Sequence, residues 1–391
     1  MKYDIAIIGG GIIGSAIAYF LARTGQAGSI AVIEPDSTYR LAATPRSGGG
    51  VRQLFSLPEN IQMSSYSVQF FADFANVMAI DDEPAEIGFH RQGYLFVASE
   101  KGAGQLEANY QLQTREGVRA ELLDRAALTT RFPSIGPEDV ALACFSPDDG
   151  WIDPASALQG FKRKARNLGV RYIEAKVVAL QTKPGCVVAA SLDRDDVVRA
   201  DIFVNAAGAW AAEIGAMAGM HLPVKPYCRV QHYWLCPVEI EPLPLVKDES
   251  GLFFRPEGPG FIGGRPSWEI DPGFNFDPAQ GYFNGYFDRV VWPLLVQRVP
   301  KFDALRCERT LAGHYAQNRL DGNMILGSWP GGAENFYVAC GFSGHGVMHA
   351  PAVGLALSEL ILNGRYETID LERMSYQRVL DNAPYKEKGI I

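Results

Sequence analysis

The stretch Gly9-Gly10-Gly11-Ile12-Ile13-Gly14 constrains this chain more than any other. Before it, Tyr3 to Ile8 is a short apolar run of the kind that forms a buried strand. After it, Ile12 to Arg23 is rich in Ala, Ile and Leu and reads as a helix ending near Gly25. Ser29 to Glu34 supplies a second strand and completes a βαβ unit. In that setting a GxGxxG turn cradles a pyrophosphate. The first glycine makes the tight turn, the second lets the backbone approach the anion, and the third lets the helix pack close to the sheet. The helix N-terminus adds N–H groups and the positive end of its dipole. Glu34 follows the last glycine by about 20 residues, where a carboxylate accepts hydrogen bonds from both hydroxyls of an adenosine ribose. Its charge disfavours a 2′-phosphate. Gly9, Gly11, Ile12, Ile13, Gly14 and Glu34 are therefore candidate residues for binding a dinucleotide. The motif alone does not separate a flavin from a nicotinamide dinucleotide.

Beyond this unit the pattern alternates. A Gly/Ser-rich loop spans Ala43 to Gly50, and residues 59–78 read as a helix. Short strands such as Gly93 to Val97 follow. A helix over 154–168, a strand near 171–180 and a buried strand from Ile202 to Ala207 restore the α/β pattern. From 221 to about 320 the chain is rich in aromatics and prolines, with strand-like stretches at Val230 to Leu235 and Gly251 to Phe254. Phe336 to Cys340 reads as a last strand and Ala352 to Leu362 as a last helix. The expected fold is α/β (α+β): a Rossmann-like cofactor domain from 1–80, 145–220 and 321–391, with a mostly antiparallel β substrate domain from 81–144 and 221–320 inserted in it.

Composition narrows the partners. The net charge of −8 argues against nucleic acid, which needs a basic surface to neutralise phosphates. No apolar run reaches the roughly 18–20 residues that span a bilayer, and no signal peptide is evident, so an integral membrane protein is not expected and the cytoplasm is. The six cysteines are scattered without a CxxC pair, which predicts reduced thiols rather than a disulfide or a metal site.

Three further motifs carry a resemblance. They are Asn205-Ala206-Ala207-Gly208-Ala209-Trp210, Gly341-Phe342-Ser343-Gly344-His345-Gly346, and Ala350-Pro351 just after it. With the N-terminal turn, they make the whole chain resemble the D-amino-acid-oxidase-like superfamily of FAD enzymes, which includes sarcosine and glycine oxidases and dimethylglycine dehydrogenases. Gln53-Leu54-Phe55-Ser56-Leu57-Pro58-Glu59-Asn60-Ile61-Gln62 and the terminal Gly389-Ile390-Ile391 resemble the FAD-dependent oxidoreductase domain proteins linked to mitochondrial complex I assembly. The chain is also similar to the β subunits of archaeal proline dehydrogenase complexes. The resemblance implies that Gly9, Gly11 and Gly14 hold the FAD pyrophosphate and Glu34 its ribose. It implies that Ser47 and Gly48 line the flavin, that Val177 meets the adenine through its backbone, and that Ala207, Gly208 and Trp210 pass beside the cofactor. Gly341, Phe342, Ser343, Gly344, His345 and Gly346 would approach the isoalloxazine ring, which needs backbone at close range.

Arg52 matches the arginine that holds the substrate carboxylate in sarcosine-oxidase-like enzymes; a structural arginine is the alternative. Arg255 is a second candidate, with pairing to Glu257 as its alternative. His314, Tyr315 and His349 are candidate proton acceptors among which no motif chooses, and a packed histidine is the alternative for His314 and His349. Three positions depart from the family. Gly313 stands where a cysteine bonds the flavin in monomeric sarcosine oxidases, and no histidine lies in 43–50, so FAD is expected to be non-covalent. Ile262 stands where those oxidases carry an oxygen-activating lysine, which implies a dehydrogenase whose acceptor is a quinone, a redox protein or a partner subunit. Met348 replaces a lysine near the substrate carboxylate, so the substrate is expected to differ from sarcosine. The implied reaction is oxidation of the C–N bond of a small amine or amino acid, of secondary or N-alkyl type, by hydride transfer. A peroxide-forming oxidase and an assembly factor holding flavin as a structural element remain as alternatives.

Overall fold

A computed structural model describes residues 1–390. Two sheets organise it. The first runs Ile325–Gly327, Phe336–Cys340, Val197–Asn205, Lys2–Ile8, Ile30–Glu34, Arg171–Glu174. Its four central pairings through Lys2–Ile8 and its neighbours are parallel, with Ile5 opposite both Ile202 and Ile30. Ile5 to Ile8 and Ile30 to Ile33 are buried, as strands covered on both faces must be. Val197–Asn205 shares one edge: its first residues pair with Cys186–Leu192, which continues to Val177–Lys183, and its last with Phe336–Cys340.

The second sheet runs Arg306–Asn318, Val224–Leu235, Gly260–Gly264, Phe253–Glu257, Leu245–Asp248, Tyr94–Ala98, Leu142–Ser146, Glu121–Leu123. All its pairings are antiparallel except Leu245–Asp248 with Tyr94–Ala98. Trp234, Phe254, Phe302 and Val291 fill the core behind it. The aromatic runs at 227–235 and 252–261 therefore divide, some side chains entering this core and others the cavity described below.

Several elements differ from the sequence expectation. The helix expected over 352–362 starts earlier, as Gly346–Asn363, with Pro351 inside its second turn, and a short helix, Gln377–Leu380, follows it. The expected strand at 171–180 breaks at Ala175 and Lys176 into two strands in different parts of the sheet. The expected helix at 59–78 splits at Asp73. Helices Glu100–Arg115 and Trp292–Arg298 lie in stretches read as mostly β. Gly346–Asn363 is also long and apolar enough to cross a bilayer, where the sequence reading found no such run. It packs against Ile12–Arg23 and Pro58–Ala72 as a core helix, mostly buried. All six cysteines are free. Ile391, the end of the Gly389-Ile390-Ile391 motif, lies outside the described residues.

Candidate active site

The C-terminal ends of Lys2–Ile8, Ile30–Glu34 and Val197–Asn205 open on one cavity of about 1250 Å³. Parallel α/β sheets place ligands at this edge. Gly9 turns the chain there with φ +101°, and its N–H donates to Ile33 O (2.8 Å). A Cβ on Gly9 would lie 2.5 Å from Ala206 O, so a side chain is excluded where the turn crosses the Ala206-Ala207 corner. Gly14 is not on the wall. A Cβ there would lie 1.9 Å from Gly9 O, so its lack of a side chain lets the helix close on the turn. Glu34 accepts from the Gly10 N–H (2.8 Å) and the Asp36 N–H (3.1 Å), and burial raises its pKa. Thr44 Oγ1, a contact the sequence reading missed, accepts from the Ile12 N–H (3.3 Å).

Gly9, Gly11, Ile12, Ile13, Glu34, Ser47, Gly48, Val177, Ala207, Gly208 and Trp210 all line the cavity. So do Phe342, Ser343, Gly344, His345 and Gly346, whereas Gly341 packs behind the wall against Asn318 and Val224. Gly344 has φ +102°, and a Cβ on it would lie 2.6 Å from the Tyr315 ring, so this turn lies directly on Tyr315. Ser343 Oγ accepts from the Asn318 N–H (3.0 Å) and fixes the turn. Helix Gly346–Asn363 begins there, with the positive end of its dipole at the cavity. A pocket for an ordinary ligand measures roughly 300–1,000 Å³; this one exceeds that, as an extended dinucleotide plus a substrate requires. The residues present fit FAD.

Arg52 lies on the wall and is buried. Its Nη1 donates to Leu54 O (2.6 Å), its Nη2 lies 3.2 Å from His345 Nε2, and Phe55 covers it at 4.1 Å from the ring centroid. Burial holds the His345 pKa well below its ordinary value, so the ring is neutral; accepting from Arg52 at Nε2 leaves its proton on Nδ1. Arg255 is also on the wall, but its fork is engaged. Nε donates to Gly48 O (2.8 Å), Nη1 donates to Pro256 O (2.8 Å), and Nη1 also pairs with Glu257. Arg255 thus makes the Glu257 pairing named as its alternative and also holds the Gly48 loop.

His314 and Tyr315 line the cavity. His314 Nε2 accepts from the Asn275 N–H (2.8 Å), and burial, with Arg46 and Arg229 nearby, pushes its pKa down to about 4. Burial raises the Tyr315 pKa, opposed by Arg229 and Arg52. His349 is a correction. It lies off the cavity wall, with Nε2 3.0 Å from Ser64 Oγ and its ring on Phe55, and burial pushes its pKa to about 3. It is a packed histidine, not a proton acceptor at the site.

Two wall groups escaped the sequence reading. Lys247, on strand Leu245–Asp248, has its pKa lowered to about 7 by burial and by Arg52. Its signal is a lone lysine after the apolar run Leu243 to Val246. The C-terminal segment also returns to the cavity: Lys386, Glu387, Gly389 and Ile390 line it, and Glu387 accepts from the Ser56 N–H and Asn60 Nδ2 (both 2.6 Å). The departure positions Ile262, Gly313 and Met348 are on the wall too.

A parallel βαβ sheet with a glycine turn at its C-terminal edge, and a second glycine turn on the wall of the same cavity, fit a flavin-dependent oxidoreductase. The chain matches the family described as FAD dependent oxidoreductase (DAO) over residues 4–360, and it belongs to that family. Among named relatives, the bovine FAD-dependent oxidoreductase domain-containing protein 1 is 38% identical, over 100% of this chain and 87% of its own. Rat mitochondrial dimethylglycine dehydrogenase is 26% identical over 96% of this chain, which spans 45% of that protein. Among solved structures, L-proline dehydrogenase from P. horikoshii superposes with a TM-score of 0.86 at 28% identity, covering 98% of this chain and 99% of that one.

Proposed function

We propose that this FAD-dependent oxidoreductase oxidises the C–N bond of a small secondary or N-alkyl amino acid, acting as a dehydrogenase. The observation that carries the reading is the cavity corner where Arg52 and Lys247 meet the flavin-side turn at His345. Dimethylglycine and L-proline, named for two of the similar proteins, are both secondary or tertiary amino acids. Gly9 to Ile13, Glu34, Ser47, Gly48 and Gly344 to Gly346 would hold FAD, non-covalently since Gly313 offers no thiol. When bound, FAD supplies the hydride acceptor.

The chain's own residues do the rest. Arg52 binds the substrate carboxylate, a charge-assisted bond of about 1.5–3 kcal/mol. The amine must be neutral before its carbon gives up hydride, and a free amine is mostly protonated at pH 7. A lysine whose pKa is about 7 is matched to take that proton. The imine product then hydrolyses in water. The test is turnover with a dye acceptor, using N-methyl and cyclic amino acids, alongside oxygen uptake. Dye reduction without oxygen uptake is expected, because Ile262 stands in the place of the oxygen-activating lysine. Oxygen uptake at the dye-coupled rate would make the protein an oxidase.

A further inference from the structure

Arg229 lies on strand Val224–Leu235, on the wall of the same cavity, and is 6% exposed. Its Nη1 donates to Cys228 O (2.9 Å) and Ser267 O (3.0 Å). Its Nε and Nη2 are buried and have no hydrogen-bond partner among the described residues. These two atoms form one edge of the guanidinium, the side-on fork that grips a carboxylate bidentately. Rings surround the group: its Cζ lies 4.3 Å from the Trp268 centroid, 5.1 Å from Tyr315 and 5.3 Å from Tyr227.

Three other buried arginines of this molecule are paired. Arg298 has Asp139 and Asp248, Arg378 has Asp321, and Arg255 has Glu257. Among the described residues Arg229 has no ion pair, although a buried charge is stable only when compensated. Arg52 also lacks an ion pair there, and both cations act electrostatically on Tyr315. Arg52 and Arg229 are thus two buried guanidinium groups on one cavity wall without a carboxylate partner, and a monocarboxylate satisfies only one of them.

We infer that the substrate carries two anionic groups: a secondary or N-alkyl amino acid with a second carboxylate, one carboxylate on Arg52 and the other on the Nε–Nη2 edge of Arg229. This rests on the C–N oxidation reading above and narrows its substrate class to amino dicarboxylates. Arg229 then sets specificity, since a monocarboxylate leaves its fork buried and idle.

The test is calorimetric titration of the FAD-bound protein with acetate, malonate, succinate and glutarate, which need no turnover. At least one dicarboxylate binds roughly tenfold or more tighter than acetate. Arg229→Gln removes that preference, bringing the best dicarboxylate to within a few-fold of acetate, and Arg229→Lys restores only part of it because lysine is not a bidentate donor. Bound FAD per chain reports whether each variant folds; if Arg229→Gln does not, the wild-type series decides alone. Equal affinity for acetate and every dicarboxylate, or equal weakening of both by Arg229→Gln, overturns the inference. The two readings fail separately. A dicarboxylate preference with no amine able to reduce the flavin sinks C–N oxidation alone, and amine reduction without the preference sinks the two-anion substrate alone.

Discussion

Arg52 and Lys247 carry like charges in one corner of the cavity; burial lowers the pKa of both, and Arg52 lowers that of Lys247 further. Lys247 is therefore half-neutral near pH 7 instead of fully charged. Its neutral form is the proton acceptor, so flavin reduction by substrate rises with pH through about 7. Lys247→Met flattens that limb and slows reduction by about 10²-fold or more, the usual worth of a positioned base. A limb that survives unchanged in the variant would assign the proton to another group, with His314 next in line on the wall. Arg52 was legible because it follows Gly48-Gly49-Gly50-Val51 at a spacing the family resemblance supplies. Lys247 was not, because a lysine on a strand becomes functional only through the neighbours that desolvate it. His349 and Arg255 show the reverse. His349 stands beside the Ala350-Pro351 motif yet points to Ser64, and Arg255 makes the Glu257 pairing that was its alternative while also bonding Gly48 and Pro256.

At the scale of elements, helices Ile12–Arg23 and Gly346–Asn363 pack together, and the two glycine turns open from their N-termini. Gly354 is the point of closest approach: a Cβ there would lie 2.6 Å from the Phe20 ring and 3.0 Å from Ala16 O. Gly354→Val overpacks this crossing, at a cost of about 1–3 kcal/mol or more. The melting temperature falls and FAD content falls with it, since the flavin-side turn caps the same helix. An unchanged melting temperature would show that the crossing can spread without cost. The N-terminal βαβ unit was readable because its signals are local: apolar runs, glycines and a carboxylate within a few turns of chain. The C-terminal segment was not. Glu387 reaches Ser56 and Asn60 across more than half the chain, and no local pattern encodes such a contact. The loop that stacks Phe274 on Trp210 at 4.8 Å is the same case.

For the whole molecule, buried neutral histidines make stability depend on pH. His232 is 1% exposed, with Nδ1 2.8 Å from Thr310 Oγ1, and burial holds its pKa at about 4. Unfolding returns it to about 6.5, so the unfolded chain binds the extra proton. The stability this represents is complete above pH 6.5 and is lost as pH falls from 6.5 toward 4. At pH 5 the loss from this one group is about 2 kcal/mol. Denaturant unfolding at pH 7.5 and pH 5 should therefore show a pH-dependent loss smaller by about that amount in His232→Gln; an identical loss would mean that His232 is solvated in the folded state.

The two-sheet architecture follows from alternation of α/β and β-rich stretches, which composition and periodicity display. The order of strands within each sheet does not, because pairings such as Leu245–Asp248 with Tyr94–Ala98 join segments far apart in the chain. The chemistry assigned to the cavity between those sheets is tested most directly by mixing the FAD-bound protein, without oxygen, with N-methyl and cyclic amino acids that carry one or two carboxylates. The expected result is that the yellow colour bleaches with at least one of them and stays bleached until an acceptor dye is added. Colour that persists with every amine, in protein that dithionite still bleaches, would contradict it and leave the flavin a structural element.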